Sequence, residues 1–246
     1  TEEPVILTAE SDGAGFSGFE KVDAKDDVKF GRSALRLSAR KVNAGWRFDF
    51  SHDGSLEKAP ADAGPLSALR YWHFQGSVTA PEDVWLPEAA GRLLAGADVC
   101  SVPGICRPGA PQGLEPLMQA AQDGRLGLKM QNVELDFPRL EVRAMGAMGV
   151  RKDVKTFADF DVGVQIHPLD DELMKTRPDV VAVHDFVKDL VDSKALACRV
   201  KDECRARVTV EPDERGFGII RSNGVDVTER VMKFIFAGPA GTGEAG

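Results

Sequence analysis

Four cysteines stand in two pairs of the same spacing, "CSVPGIC" with Cys100 and Cys106, and "CRVKDEC" with Cys198 and Cys204. Zinc sites usually space cysteines by two to four residues and recruit histidine, and a dithiol redox centre needs C-x-x-C. Neither pattern is present, because His52, His73, His167 and His184 all lie away from the cysteines in sequence. Two local disulfides are therefore expected. Pro103-Gly104 is a turn signal that brings the ends of the first segment together. "RVKDE" reads as a polar loop between a helical and a strand pattern. By the chain-entropy relation a ring of this size contributes only about 2 kcal/mol, so the bridges pin loops rather than hold the fold. Disulfides imply an oxidising compartment. Asn43, Asn132 and Asn223 all fail as glycosylation sequons, which favours a bacterial periplasm over a eukaryotic secreted product.

Other groups that could do chemistry are sparse. "DFSHDG" offers Asp49, His52 and Asp53 to a metal, but lacks the alternating oxygens and distal Glu of a calcium loop. Its plain reading is a strand end closing on an Asp53-Gly54 turn. "GAGFSG" (Gly13, Gly15, Gly18) matches the dinucleotide fingerprint in letters only, with no strand directly before it and no apolar helical stripe after it. "HDFVKD" (His184, Asp185, Lys188, Asp189) is the polar face of a helix and not the H-E-x-x-H of a zinc enzyme. "HPLDDE" (His167, Asp170, Asp171, Glu172) reads as an acidic, solvent-facing loop. No nucleophile elbow or P-loop occurs. With four histidines and Tyr71 as the single tyrosine, acid–base catalysts are few. No catalytic residue and no cofactor is expected.

The elements that would position these groups follow from the periodicity. The 246 residues carry a formal charge of −8 and contain no contiguous cluster of Lys and Arg; "RKDVK" is interrupted by Asp153. A nucleic-acid partner is not expected. No run of apolar residues is long enough for a spanning helix. A chain beginning at Thr1 fits a removed export signal, a trimmed terminus or a missing N-terminal membrane anchor.

Residues 1–80 read as short strands. Leu35, Leu37 and Ala39 alternate with polar neighbours, as do Trp46, Phe48 and Phe50. "RYWHF" puts Tyr71 and His73 on one face and Trp72 and Phe74 on the other, with a bulge expected at Gly76. Residues 81–124 change character, reading as a helical insertion that carries the Cys100–Cys106 loop. Strands resume over 125–237, with a phase slip at Gln131-Asn132 and the clearest alternation at Phe160, Val162, Val164 and Ile166. One long amphipathic helix is expected over 178–196, with Pro178 at its first position and Val180, Val183 and Val187 as its apolar stripe. A hairpin across Glu214-Arg215-Gly216, a closing helix at "TERVMKFIF" and a flexible tail over 238–246 complete the chain. The expected class is α+β, mostly β: twisted antiparallel sheet with a helical insertion and the long helix packed on it.

The strand rhythm and the "SNGVDVT" ending resemble the AsmA-like, YdgA-like and GspN-like bacterial envelope proteins. That resemblance implies a β-rich periplasmic part, an inner-membrane anchor and a role in lipid handling or envelope assembly. It carries over no functional residue. The expectation is a non-enzymatic periplasmic or secreted protein that binds a lipid or other apolar ligand on a sheet face. The candidate lining is Trp46, Phe48, Phe50, Trp72 and Phe74 from the first strands, with Phe160, Val162, Val164 and Ile166 from the later one. The alternatives are a structural or adaptor subunit of a secretion or surface assembly, which binds envelope proteins, and a metal-dependent hydrolase.

Overall fold

Many consecutive alternating segments leave each strand with one face to bury, and pairing sequence neighbours is the shortest way to align those faces. The computed structural model describes residues 5–12, 15–16, 28–42, 45–58, 64–84, 119–120, 123–149, 157–200, 202–212 and 218–236. The first strands are β1 (Val5–Asp12), β2 (Gly15–Phe16), β3 (Val28–Val42), β4 (Gly45–Lys58) and β5 (Tyr71–Pro81). After residues 82–126 come β6 (Gly127–Phe137), β7 (Leu140–Gly149) and β8 (Ala158–Ile166). Helices α1 (Asp171–Thr176) and α2 (Pro178–Asp192) follow. The chain then forms β9 (Ala197–Val200), β10 (Glu203–Pro212), β11 (Gly218–Ser222), β12 (Val225–Asp226) and α3 (Thr228–Ile235).

All twelve strands belong to one open antiparallel sheet in the order β1-β3-β4-β5-β6-β7-β8-β10-β11-β12, with β2 added beside β3 and β9 beside β10. The fold is thus mostly β with a few helices. β5 and β6 pair directly from Tyr71↔Asp136 to Thr79↔Gly127, so the strands on either side of residues 82–126 share the sheet. Gln75 faces Asn132 but Gly76 faces Met130, which makes Gln131 the extra residue of a bulge in β6. The expected bulge at Gly76 and phase slip at Gln131-Asn132 are the two sides of this one irregularity.

Register assigns the faces. Gly54, Trp72, Leu135, Val142, Val164 and Cys204 form one cross-strand row, and all face the apolar side. The adjacent row, Asp53, His73, Glu134, Arg143, Gly163 and Arg205, faces the polar side. Two buried clusters lie on the apolar face. One joins Val180, Val183 and Val187 of α2 with Phe137, Leu140, Val164 and Cys204. The other gathers Ala39, Trp46, Phe48, Ala80, Val84 and Ala120.

The helices start where capping chemistry permits. The Asp170 carboxylate accepts from the Leu173 amide at 2.8 Å, and Asp171 and Glu172 occupy the positive end of α1. "HPLDDE" is therefore a helix start rather than a loop. Pro178 opens α2 as expected, and Asp179 is held there by Arg177 at 2.7 Å and Ser67 at 3.1 Å. The helix ends at Asp192 with Ser193 as its C-cap, and Lys194 just beyond takes a left-handed φ of 64° where glycine is the usual choice.

Two further expectations are corrected. Asp53-Gly54 is not a turn, since β4 runs on to Lys58. Gly54 is there because the Trp72 indole lies over it: a Cβ would come within 2.2 Å of the ring. "RVKDE" is not a plain loop, since β9 pairs with β10 and sets Cys198 directly opposite Cys204, where the disulfide forms. Cys100, Cys106, most of the expected helical insertion, the Glu214-Arg215-Gly216 turn and the tail lie outside the described residues.

Candidate functional site

The nine apolar candidates all fall on the apolar face, because each sits in register with the next strand's inward residue. They do not share one environment. Trp46 and Phe48 are buried in the second core cluster, and Val164, with Val162 and Ile166 against it, belongs to the α2 cluster. These five are core rather than lining. Phe50, Trp72, Phe74 and Phe160 belong to neither cluster and remain half-buried. With Met130, Val133 and the exposed edge of Leu35 they make an apolar stripe between the two cores.

Glycines shape that stripe. The Phe50 ring lies 2.8 Å from where a Cβ at Gly76 would stand, and the Phe160 ring 2.6 Å from one at Gly146. Aromatic side chains thus lie down over the glycines of the adjoining strands, widening the apolar surface without adding height. His52 is the polar group within it. Trp72 Nε1 donates to His52 Nδ1 at 3.2 Å, and His52 Nε2 faces Ser33 Oγ at 3.0 Å. An indole N–H only donates, so Nδ1 accepts and the ring proton sits on Nε2.

This placement corrects the metal candidates. His52 faces the apolar side, while Asp49 and Asp53 face the polar side three and one positions away, so the three cannot converge on an ion. Among the described residues no group of His, Cys, Asp and Glu is arranged to hold a metal.

On the polar side Asp53 instead binds His73 Nδ1 at 2.6 Å and accepts from Tyr71 Oη at 2.9 Å. Burial works against the Asp53 carboxylate, but the hydrogen bonds from His73 and Tyr71 and the nearby histidine charge outweigh it and lower its pKa. Burial and the bond to Asp53 push the Tyr71 phenol up to about 12. Nearby, Asp49 is shared by Arg47 at 2.8 Å and Arg40 at 3.6 Å.

The other end of the same face has a different balance. Sequence reading found no cluster of cations, and for contiguous residues that is correct. The register makes one from residues far apart in the chain. Arg143, Lys194, Arg199, Arg205 and Arg207 surround an open bay of about 860 Å³. The available signal was the i, i+2 spacing of Arg205 and Arg207 in "RARV", which places both on one strand face.

No family model, no curated protein and no solved structure matches this chain.

Proposed function

We propose that this is a non-enzymatic protein of an oxidising, extracytoplasmic compartment that holds a lipid acyl chain on its apolar sheet face. The observation that carries the reading is the half-buried stripe of Phe50, Trp72, Phe74 and Phe160 between two closed cores. Extended apolar surface of this kind is seldom left over in a protein that has no use for it. The strands beneath are interior to the sheet, so their backbone groups are already paired and the stripe offers only side chains. That suits an apolar guest better than a peptide, which would seek a sheet edge. Helix α2 closes one end of the stripe, and the Cys198–Cys204 disulfide suits the compartment. The resemblance to AsmA-like, YdgA-like and GspN-like envelope proteins points the same way.

The test is titration with N-phenylnaphthylamine, a neutral apolar fluorophore, followed by displacement with phosphatidylcholine. Saturable enhancement that lipid displaces, and that Phe74→Ser abolishes while circular dichroism stays unchanged, is the expected result. No enhancement, together with crosslinking to envelope proteins through the open sheet edges, would replace this reading with the structural-subunit one.

A further inference from the structure

Most strand-interior glycines of this sheet are accounted for by a neighbour occupying the space: Trp72 over Gly54, Phe50 over Gly76, Phe160 over Gly146. Gly163 is different. It lies mid-strand in β8 on the polar face, its φ is not in the left-handed region, and the nearest atom to a Cβ there would be the Arg143 carbonyl oxygen at 3.9 Å. A glycine inside a strand weakens it, and where no bulge or bend requires it, close approach of a ligand or of another backbone is a recognised reason. Directly across from Gly163 stand Arg143 on β7 and Arg205 on β10. The glycine therefore forms a bare backbone floor between two guanidinium groups.

The remaining walls are also cationic. Lys194, Arg199 and Arg205 have no ion-pair partner among the described residues. Arg143 has only long contacts, to Glu141 at 3.5 Å and Glu134 at 3.8 Å. Arg207 is bound by Asp159, and Asp161 adds one carboxylate to the lining. In a chain of net charge −8, three cations without an ion pair among the described residues and a weakly paired fourth gather around one concavity. Lys194 is held there at a conformational cost, in the left-handed position after α2 that glycine fills without strain.

We infer that the bay around Gly163 is a binding site for an organic phosphate, with the phosphate over Gly163 between Arg143 and Arg205 and with Lys194 and Arg199 completing the charge. Guanidinium forks match the oxygens of a phosphate, and several unpaired cations suit a dianion better than a single carboxylate. The bay, at about 860 Å³, also admits a body larger than the phosphate, against the exposed Met145. The site is on the face opposite the apolar stripe and stands independently of the lipid reading.

Calorimetric titration with inorganic pyrophosphate tests it, alongside flotation with phosphatidylcholine vesicles with and without phosphatidic acid. Arg205→Ala and Lys194→Gly are each expected to weaken pyrophosphate binding about tenfold, the value of one charge-assisted contact. Lys194→Gly is expected to do so while raising the melting temperature, a combination that a merely structural lysine would not give. Gly163→Leu keeps every charge, fills the floor and is expected to abolish binding, while Arg40→Ala at the far end of the sheet leaves it unchanged. Pyrophosphate binding with flotation on phosphatidic acid identifies a lipid headgroup; pyrophosphate binding without flotation identifies a soluble organic phosphate. Absence of both, or a loss in Arg40→Ala equal to that in Arg205→Ala with Gly163→Leu unaffected, overturns the inference as diffuse attraction.

Discussion

One cross-strand row on the polar face runs from Asp53 through His73, Glu134, Arg143 and Gly163 to Arg205, and its two ends are built on opposite principles. At the Asp53 end the polar groups satisfy one another: the carboxylate binds both His73 and Tyr71, and the neighbouring arginines share Asp49. At the Arg205 end the cations outnumber their partners and the floor is bare backbone. In the first arrangement the central groups partner one another, with Arg32 and Arg36 beside them. The second is complete only with an anion, and that contrast is what separates a structural polar surface from a binding one.

The contrast extends to the anchors beneath each end, which gives the largest expected effects. Phe48, 1% exposed, anchors the β4 side of the sheet in the cluster with Trp46 and Ala80. Phe48→Ala is expected to cost about 3–5 kcal/mol in urea unfolding, and Phe50→Ala, from the half-buried stripe, clearly less. Equal costs would remove the distinction between core and stripe. The Arg205 end is anchored instead by the Cys198–Cys204 bridge. Replacing both cysteines with serine should lower stability by about 2 kcal/mol, measured in the same way.

The glycines sharpen the comparison further. Gly54→Ala drives a methyl into the Trp72 indole and should cost at least about 1 kcal/mol. Gly163→Ala makes only an ordinary contact with the Arg143 carbonyl oxygen, at 3.9 Å, and its stability should stay within about 0.5 kcal/mol of the parent. Similar losses at both would mean that Gly163 is structural.

The smallest effect is spectroscopic. Tyr71 is the only tyrosine, so tyrosinate absorbance reports this residue alone. Its midpoint should lie near 12 in the folded protein and move toward about 10 in Asp53→Asn. Because the folded protein holds this proton longer than the unfolded chain, the contribution of Tyr71 to stability is intact below about pH 10 and fades as pH rises toward 12. Asp53 acts at the other extreme: its lowered pKa contributes stability above the usual carboxylate range, lost as pH falls through the folded value.

Much of the sheet was legible because a two-residue period is a local property. Leu35–Ala39, Trp46–Phe50 and Phe160–Ile166 each declare a strand and its buried face without reference to any other segment. Pro178 and the valines of α2 did the same for a helix. Asp53-Gly54 was misread because its turn chemistry is equally local, whereas the reason for Gly54 is a ring eighteen residues away at Trp72. Asp170 was misread because an N-cap and an acidic loop have the same composition. The cation bay was invisible for a stronger reason. Arg143 and Arg205 come together only through the pairings β7–β8 and β8–β10, Lys194 joins them from the turn after α2, and no reading of contiguous residues contains those placements.

The rings lying over glycines bear on how the chain finds its alignment. Alternation rejects a slip by one residue, which would turn every apolar side chain to the wrong face. It is blind to a slip by two, which preserves the faces entirely. A two-residue slip of β5 along β4 would take the Trp72 indole off Gly54 and set it against a neighbour with a side chain: His52 in one direction, Leu56 in the other. A slip of β8 along β7 would likewise take Phe160 off Gly146. Together with the extra residue at Gln131, these contacts act as a key cut for one lock. They let a long, repetitive meander settle into one alignment out of several that its polarity pattern alone would accept.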